Sequence, residues 1–318
     1  MPGGNERVRP PTGERLRTAA DVVRTMLAPT PVVAAPDLGE RVWLKLETLQ
    51  PTGSFKIRGA LAAMATAPHG PVVTASAGNH GLALARAAVL LGREATVVVA
   101  ADASPAKVNR LREMPVRLMQ RGVGYEEAEQ VALELASGGA TFVSPYNDPD
   151  VIAGQRTLGL ELDAQFEGRL TVVVPVGGGG LLAGLALWAA ERDQVRLIGV
   201  EAAASTAFSA SLAVGRVVDV PIGETIADGL AGGLEAGSVT VEIARDSGVV
   251  HMAAVEEEEL LAATAHLHRG HGLVAEGAGA AAVAAVRSGK AAMPDGPVVA
   301  LVTGRNVTDA VLRRALGV

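Results

Sequence analysis

Lysine is rare in this chain, and one of its lysines stands where it could do chemistry. Only four of the 28 basic side chains are lysine, at positions 45, 56, 107 and 290. A lysine amine can lose its proton and attack a carbonyl group, whereas a guanidinium stays charged. Lys56 lies in the segment Q-P-T-G-S-F-K-I-R-G-A (50–60), directly after a run that predicts a strand. Lys56 is therefore the candidate nucleophile or carbonyl-binding amine.

The residues around Lys56 predict the start of a helix. Pro51 and Gly53 favour a turn, and Ser54 is a residue type that caps helices. We expect Ser54 to cap a helix that holds Lys56 in its first turn, where the helix dipole lowers the pKa of an ammonium group. An ordinary capped surface helix is the alternative explanation of the same residues.

Two further segments predict backbone sites for anions. The segment T-A-S-A-G-N-H-G (74–81) joins a predicted strand to a helix, and its small residues suit a bound carboxylate; a plain turn capped by Asn79 is the alternative. The segment V-P-V-G-G-G-G-L-L-A (174–183) carries four glycines whose N–H groups can point at one phosphate. No Gly-Lys-Ser/Thr follows, which excludes a nucleoside-triphosphate loop.

A dinucleotide site is a second hypothesis for the polyglycine segment. Gly178, Gly180 and Ala183 satisfy the pattern G-x-G-x-x-A, and Glu201 ends the next predicted strand at about the ribose-binding distance. A nicotinamide-dependent oxidoreductase built on these residues therefore stays open at this point.

The remaining polar residues give weaker signals. Thr303 ends an apolar run, so its hydroxyl lies at the carboxyl end of a strand, where binding sites collect. His266, His268 and His271 are close in sequence, but their spacing does not converge on one helix face, and no carboxylate or cysteine nearby completes a set of metal ligands. The sequence therefore predicts no metal site.

Composition excludes several classes of protein. The formal net charge is -6, which argues against a nucleic-acid partner because such binding needs a basic surface. Residues 170–190 carry no charge, but Pro175 and the four glycines interrupt them, so they predict a strand and a helix rather than a membrane span. The chain has no cysteine and no apolar stretch at its start, which together favour the cytoplasm.

Short valine-rich runs alternate with helical stretches along the chain. This alternation predicts an α/β fold with mainly parallel sheets, and prolines mark possible domain boundaries near residues 68 and 145. The predicted strands are 41–47, 71–75, 95–100, 116–120, 171–176, 195–201 and 297–302.

Taken together, these segments resemble the fold-type II pyridoxal-phosphate enzymes, and within them the threonine/serine dehydratase branch, which is similar to serine racemase. The similarity runs from about Thr30 to the end of the chain and includes P-D-V-I-A-G-Q (149–155), T-I-A-D-G-L (225–230) and G-L-V-A-E-G-A-G-A (272–280). The dinucleotide hypothesis explains only one of the matching segments.

The resemblance implies an architecture similar to the tryptophan synthase β subunit. Two lobes of open, twisted, mainly parallel sheets are covered by helices. Residues 1–67 plus 145–318 would form a large domain that binds pyridoxal 5'-phosphate, and residues 68–144 a small domain that carries the substrate carboxylate loop. The chain ends twelve residues after Asn306, so we expect no C-terminal regulatory domain.

The resemblance also implies a role for each site residue. Lys56 matches the lysine that binds the cofactor covalently and later takes the Cα proton as general base, Phe55 would pack against the cofactor ring, and Thr303 would face the pyridine nitrogen. The residues that match the substrate carboxylate loop are Ser76, Ala77, Gly78, Asn79 and His80, of which Asn79 also bonds the ring oxygen. The residues that match the phosphate-binding loop are Gly177, Gly178, Gly179, Gly180 and Leu181.

The implied reaction is β-elimination on a 3-hydroxy amino acid, which yields a 2-oxo acid and ammonia. A neutral hydroxyl at Thr303 favours elimination over transamination. Ala77 stands where racemases of this group have a second serine, which disfavours racemisation. Relatives that bind a divalent cation use a glutamate matching Glu201 and a nearby carboxylate, but A-A-A-S-T-A follows Glu201 here, so we expect no metal.

Several alternatives stay open within the family. Arg305 stands where glycine is usual, and Gly277 where proline is usual, so the substrate can be threonine, serine, 3-hydroxyaspartate, a phenylserine or an ectoine-derived hydroxy acid. The alternatives are a serine racemase, another lyase of this fold, and a catalytically silent member that only binds ligand or partner subunits. By analogy with relatives, we expect a homodimer or homotetramer.

Overall fold

The computed structural model describes residues 8–291 and 296–318. We expect no signal peptide, because the chain has no apolar stretch at its start. That expectation rests partly on residues 1–7, which lie outside the described residues. The strands are β1 (Val32–Ala34), β2 (Val42–Leu46), β3 (Val72–Ala75), β4 (Ala95–Val99), β5 (Arg117–Gln120), β6 (Thr141–Phe142), β7 (Leu170–Pro175), β8 (Val195–Ala202), β9 (Val250–Val255) and β10 (Val298–Val302). The helices are α1 (Gly13–Met26), α2 (Lys56–Thr66), α3 (Asn79–Leu91), α4 (Pro105–Arg112), α5 (Gly124–Ser137), α6 (Pro149–Gln165), α7 (Gly180–Ala189), α8 (Ala207–Val214), α9 (Val239–Ser247), α10 (Glu257–His271), α11 (Gly277–Arg287) and α12 (Asp309–Leu316).

The strands form two separate sheets. The larger has the order β1-β2-β10-β7-β8-β9 and is parallel except for β1, which runs antiparallel to β2. The smaller has the order β5-β4-β3-β6 and is parallel throughout. The predicted α/β fold with mainly parallel sheets is thus confirmed.

The chain leaves the larger sheet after β2, builds the whole smaller sheet, and returns to the larger sheet at β7. This path agrees with a small domain of residues 68–144 inserted into a large domain of residues 1–67 plus 145–318. The division into these two domains stays a prediction.

Helices cover both faces of the larger sheet. Along β10, alternate side chains face α10 and α11 on one side and α6, α7 and α9 on the other. All five residues of β10 and all six of β7 are buried, as expected of parallel strands covered on both faces. Residues 170–190 form β7, the glycine turn and α7, as predicted, and no helix among the described residues is long and apolar enough to cross a membrane.

Glycines let α2 and α6 approach each other closely. A Cβ atom built on Gly154 would lie 2.5 Å from the carbonyl oxygen of Arg58, and one built on Gly59 would lie 2.9 Å from that of Val151. Any larger residue at either position would push the helices apart. Because α2 begins at Lys56 and α6 begins at Pro149, this contact sets the distance between the segments that precede the two helices.

A buried network of charges anchors the start of α2. The guanidinium of Arg58 donates two hydrogen bonds of 2.7 Å to the carboxylate of Glu47, and its third nitrogen lies 2.7 Å from Glu161. Lys45 pairs with the other oxygen of Glu161 at 2.6 Å. The side chains of Lys45, Glu47 and Arg58 are fully buried, so each charge depends on its partner for solvation. The network ties α2 to the segment after β2 and so fixes residues 50–55 between them.

Replacing Arg58 by methionine should lower the free energy of unfolding by about 3 to 5 kcal/mol, because Glu47 would lose its buried partner. Urea-induced unfolding measures the change. The matched control is Arg192→Met, since Arg192 pairs with Asp163 at the surface with 31% of its side chain exposed. That control should cost at most about 1 kcal/mol. Equal losses in the two variants would contradict an anchoring role for the buried network.

Candidate active site

Lys56 is the first residue of α2, and its amine points into the protein. Its Nζ donates a hydrogen bond of 2.8 Å to the carbonyl oxygen of Pro145 and lies 5.3 Å from the centre of the Phe55 ring. Loss of water around the amine lowers the pKa of Lys56 to about 8, although the charge of Glu276 opposes this shift. A lysine with this pKa is partly neutral near neutral pH and can react with a carbonyl group.

One prediction about this segment is wrong. Ser54 does not cap α2: Phe55 occupies the cap position, and the helix start receives no side-chain hydrogen bond there. The Oγ of Ser54 is instead buried with no hydrogen-bond partner among the residues that the structure describes. The reason is that Ser54 forms an isolated β-bridge with Gly304, which turns its backbone toward the end of β10.

Residues 145 and 146 connect Lys56 to the polyglycine turn. Pro145 accepts the hydrogen bond from Lys56, and the next residue, Tyr146, packs directly on the glycines. A Cβ atom on Gly178 would lie 2.3 Å from the Tyr146 ring, and one on Gly180 would lie 2.9 Å from the Cα of Tyr146. The amine and the polyglycine turn therefore lie on either side of a single short segment.

The polyglycine turn has the backbone geometry of an anion site. It joins the end of β7 to the start of α7, and Gly179 adopts a left-handed conformation with φ of 83°. The first N–H groups of a helix have no partner within that helix, so those at Gly180 and Leu181 are available to a ligand. Gly177 precedes them in the same turn. Such N–H groups at the positive end of a helix dipole suit a phosphate.

The predicted carboxylate loop occupies residues 76–80 between β3 and α3. Ser76, Ala77 and Gly78 are partly buried, and the Oγ of Ser76 accepts a hydrogen bond of 3.2 Å from the N–H of Gly78. His80 is buried beside Lys56: desolvation and the nearby lysine charge lower the pKa of His80 to about 3, so its imidazole is neutral. The loop thus offers backbone N–H groups at the start of α3 near the Lys56 amine.

Asn79 does not cap a helix, because its side chain reaches across to other parts of the chain. Its Nδ2 donates to the carboxylate of Glu276 at 2.6 Å, and its Oδ1 accepts from Asn306 at 2.5 Å. Asn306 in turn donates to the carbonyl of Thr52 at 2.9 Å. These bonds link the carboxylate loop to the residues before Lys56 and after Thr303.

Thr303 follows β10 directly and is buried. Its carbonyl oxygen accepts a hydrogen bond of 3.1 Å from the N–H of Phe55. The end of β10 therefore lies next to the residue that precedes Lys56. The end of β10, the loop after β3 and the turn after β7 together hold the predicted site residues at the carboxyl ends of parallel strands. Ligands bind at this edge in sheets of this type.

Sequence reasoning left two contributors out of the predicted site. Burial raises the pKa of the Glu276 carboxyl to about 7. A Cβ atom built on Gly304 would lie only 2.0 Å from Oε1 of Glu276, so this carboxyl group packs directly against Gly304. Tyr146 lines the polyglycine turn as described. Glu276 left a signal, since it is a lone acidic residue in an apolar segment before a helix, whereas nothing local marks Tyr146.

Glu201 is engaged elsewhere. Its carboxylate accepts hydrogen bonds from the backbone N–H groups of Phe208 at 2.7 Å and Ser209 at 3.1 Å, and so it holds the start of α8. A ribose-binding carboxylate must face the ligand with free oxygen atoms. The geometry therefore disfavours the dinucleotide hypothesis for this site.

The residues of this site fit pyridoxal 5'-phosphate. A lysine amine with a lowered pKa suits its aldehyde, and the N–H groups of the polyglycine turn suit its phosphate. The hydroxyl groups of Ser54 and Thr303 lie at the same strand end, and that of Ser54 has no hydrogen-bond partner in the described part of the chain. This set of donors is chemically complete for the cofactor that the sequence implies.

Replacing Gly178 by alanine should weaken the binding of pyridoxal 5'-phosphate, because the added methyl group would displace the Tyr146 ring and with it the Pro145 carbonyl. Overpacking of this kind costs about 1–3 kcal/mol, or about 5- to 150-fold in Kd. Fluorescence titration of the apo-protein measures the Kd. Gly232→Ala is the control, because a Cβ there meets nothing within 4 Å. Unchanged binding in both variants would show that the turn is not the cofactor site.

Known proteins resemble this chain over most of its length. L-threonine ammonia-lyase of Geobacter sulfurreducens is 40% identical over 276 residues, which cover 85% of this chain and 68% of the relative. Maize serine racemase superposes on this chain with a TM-score of 0.88 at 28% identity. The match covers 97% of this chain and 98% of the racemase chain. The processed form of threonine deaminase isoform 2 from Solanum lycopersicum superposes with a TM-score of 0.86 at 29% identity, over 100% of this chain and 92% of its own.

A family model described as pyridoxal-phosphate dependent enzyme matches residues 23–304, which include every predicted site residue. The match confirms the resemblance seen in the sequence and accounts for Lys56, the polyglycine turn and the carboxylate loop together. The chain belongs to the family of pyridoxal-phosphate dependent enzymes.

Proposed function

We propose that this protein is an ammonia-lyase that converts a 3-hydroxy amino acid, L-threonine or L-serine, into a 2-oxo acid and ammonia. The observation that carries the proposal is the hydrogen bond of 2.8 Å from Lys56 to Pro145, next to Tyr146 and the polyglycine turn. The relatives named L-threonine ammonia-lyase and threonine deaminase support the choice of reaction and substrate.

The chemistry divides between the cofactor and the protein. Pyridoxal 5'-phosphate, when bound, withdraws electrons from the Cα atom of an amino acid and so makes its proton acidic. We assign the removal of that proton to the amine of Lys56, whose lowered pKa leaves part of it neutral and able to act as a base. The Pro145 carbonyl holds Nζ in position, which reduces the entropy lost in reaching the reactive geometry.

Two backbone sites orient the reactants. We assign the phosphate to the N–H groups from Gly177 to Leu181, and the substrate carboxylate to the loop from Ser76 to His80. Within this loop the N–H groups of Ser76 and Gly78 already donate inside the protein, so the start of α3 at Asn79 and His80 supplies the available N–H groups. The neutral His80 adds no positive charge that would hold the substrate too tightly, and its low pKa makes it too weak a base to compete with Lys56 for a proton. Asn79, held between Glu276 and Asn306, fixes the position of this loop.

Two residues bias the outcome of the reaction. The hydroxyl group of Thr303 is neutral, so it would leave the pyridine nitrogen unprotonated and favour elimination over transamination. Ala77 carries no group that transfers a proton, so return of a proton to the opposite face of Cα lacks a donor at that position. We therefore favour elimination over racemisation.

Serine racemase is the second candidate function. The similarity to the maize serine racemase, with a TM-score of 0.88, is the observation that raises this candidate. Ala77 argues against it for the reason just given. Analysis of the enantiomers of serine left after partial turnover separates the two candidates, because a lyase leaves the unused L-serine unchanged, whereas a racemase produces D-serine.

The substrate panel should reach beyond threonine and serine. Arg305 is exposed and lies against Gly53, near the residues that lead to Lys56. A guanidinium in this place can pair with an acidic substrate side chain. Because 3-hydroxyaspartate carries one, its turnover relative to threonine tests whether Arg305 sets specificity.

Lys56→Ala should lower the release of 2-oxo acid from L-threonine by at least about 100-fold, because general bases contribute about 10²–10⁴ to the rate. Coupled detection of the oxo acid and direct detection of ammonia measure it. Lys290→Ala is the control, since Lys290 pairs with Glu259 at the surface. A Lys56→Ala variant with full activity would overturn the assignment of the base.

The rate at which apo-protein captures pyridoxal 5'-phosphate should depend on pH. Only the neutral amine attacks the aldehyde, so the rate should be constant above about pH 8 and fall roughly tenfold per pH unit below it. Stopped-flow absorbance at a series of pH values measures this. A rate that still rose through pH 10.5, the ordinary pKa of lysine, would contradict the lowered value.

The assembly and the cellular compartment remain predictions from the sequence. We expect a homodimer or homotetramer, which light scattering of the purified protein would distinguish. We also expect the protein to work in the cytoplasm, which fits its lack of cysteine.

A further inference from the structure

Three side chains from two separate parts of the chain meet at the turn between β1 and β2. Asp37 lies in the turn between β1 and β2, and His266 and His271 lie in the last two turns of α10. The Nε2 atom of His266 lies 2.7 Å from Oδ2 of Asp37, and that of His271 lies 3.1 Å from the same oxygen. All three ligand atoms lie within 4.8 Å of one another.

We propose that Asp37, His266 and His271 form a binding site for a divalent transition-metal ion, with zinc as the best match. Zinc prefers imidazole nitrogen and carboxylate oxygen among the side chains available in a chain without cysteine. In a tetrahedral site with ligands at about 2.0–2.1 Å, neighbouring ligand atoms lie roughly 3.3 Å apart. The distances of 2.7 and 3.1 Å from the two histidine nitrogens to Oδ2 of Asp37 are about 0.6 and 0.2 Å shorter than that value.

The orientation of His266 supports a ligand role. Its Nε2 is buried and has no hydrogen-bond partner within residues 8–291 and 296–318, even though the carboxylate oxygen is 2.7 Å away. The ring nitrogen and the oxygen are therefore close without pointing at each other. Two atoms that bind the same metal ion both point at the ion and not at each other. In a hydrogen bond, by contrast, the donor points at the acceptor.

The arginine nearest to the two histidines in sequence is engaged elsewhere. Arg269 lies between them, and its guanidinium donates to the carbonyl of Leu316 on α12. Asp37 has 43% of its side chain exposed, against 22% for His266 and 13% for His271. The histidines are thus held by the fold while the carboxylate faces water, which leaves room for a water molecule as the fourth ligand.

The position of the cluster predicts what a bound ion would do. The turn that carries Asp37 precedes β2, whereas Lys56 follows the other end of that strand. A bound ion would join this turn to the end of α10 and so stabilise the fold without touching the reacting groups. Sequence reasoning missed the cluster because Asp37 is 234 positions from His271.

Isothermal titration of the holoenzyme with zinc chloride, after removal of any affinity tag, tests the site. We expect one zinc ion per chain. Loss of a protein ligand should weaken binding by about 100-fold or more, since loss of an outer-shell partner alone costs 10–100-fold. Asp37→Asn and the double variant His266→Ala/His271→Ala should therefore lose the binding, whereas the matched control His268→Ala, on the same helix, should keep it.

A thermal readout covers the case in which a variant is unstable. Zinc should raise the Tm of the wild-type protein and of His268→Ala, but not that of Asp37→Asn, whose isosteric side chain preserves the packing. Wild-type protein that shows no saturable binding would overturn the proposal, as would variants that bind zinc as tightly as the control. Neither measurement uses the activity of the enzyme, so the result does not depend on the proposed reaction.

Discussion

The contact between the Lys56 amine and the Pro145 carbonyl depends on how α2 and α6 meet. Gly59 and Gly154 bring the two helices together with their backbones almost touching, and the segments before the helices then lie side by side. The fully buried pairing of Arg58 with Glu47 also holds α2 in place. A reactive amine is costly to desolvate, so it needs a rigid frame that keeps it in place.

The scarcity of large side chains explains the rest of the site. The chain has eight aromatic residues and 38 glycines, so helices and strands pack with small residues between them. Two of the aromatic rings lie against the polyglycine turn: Tyr146 against Gly178 and Phe208 against Gly179. These rings support the turn whose N–H groups we assign to the phosphate. Packing and ligand binding thus require glycine at the same positions.

Local patterns predicted much of this arrangement, because they depend on neighbours in the chain. The strand–helix alternation, the helix start at Lys56 and the turn between β7 and α7 all follow from residues within a few positions. Three strands are absent from the predicted set. The strands β1 and β6 have three and two residues, which carry too little periodicity to stand out, and the third is β9. The capping role expected of Ser54 was wrong because a distant strand end, at Gly304, determines its backbone.

Long-range contacts could not be predicted from the sequence alone. Tyr146 reaches the polyglycine turn, Glu276 reaches Asn79, and Asp37 reaches the histidines of α10 only through the tertiary fold. The family resemblance supplied roles for residues inside the matching segments. It supplied none for these partners, whose importance lies in burial and charge rather than in a motif.

The central claim is that Lys56, and no other lysine, holds the cofactor. Reduction of the purified holoenzyme with borohydride, followed by proteolysis and mass spectrometry, tests it directly because the chain has only four lysines. We expect the reduced cofactor to be attached to the peptide that contains Lys56. Attachment at Lys45, Lys107 or Lys290, or no attachment at all, would contradict it.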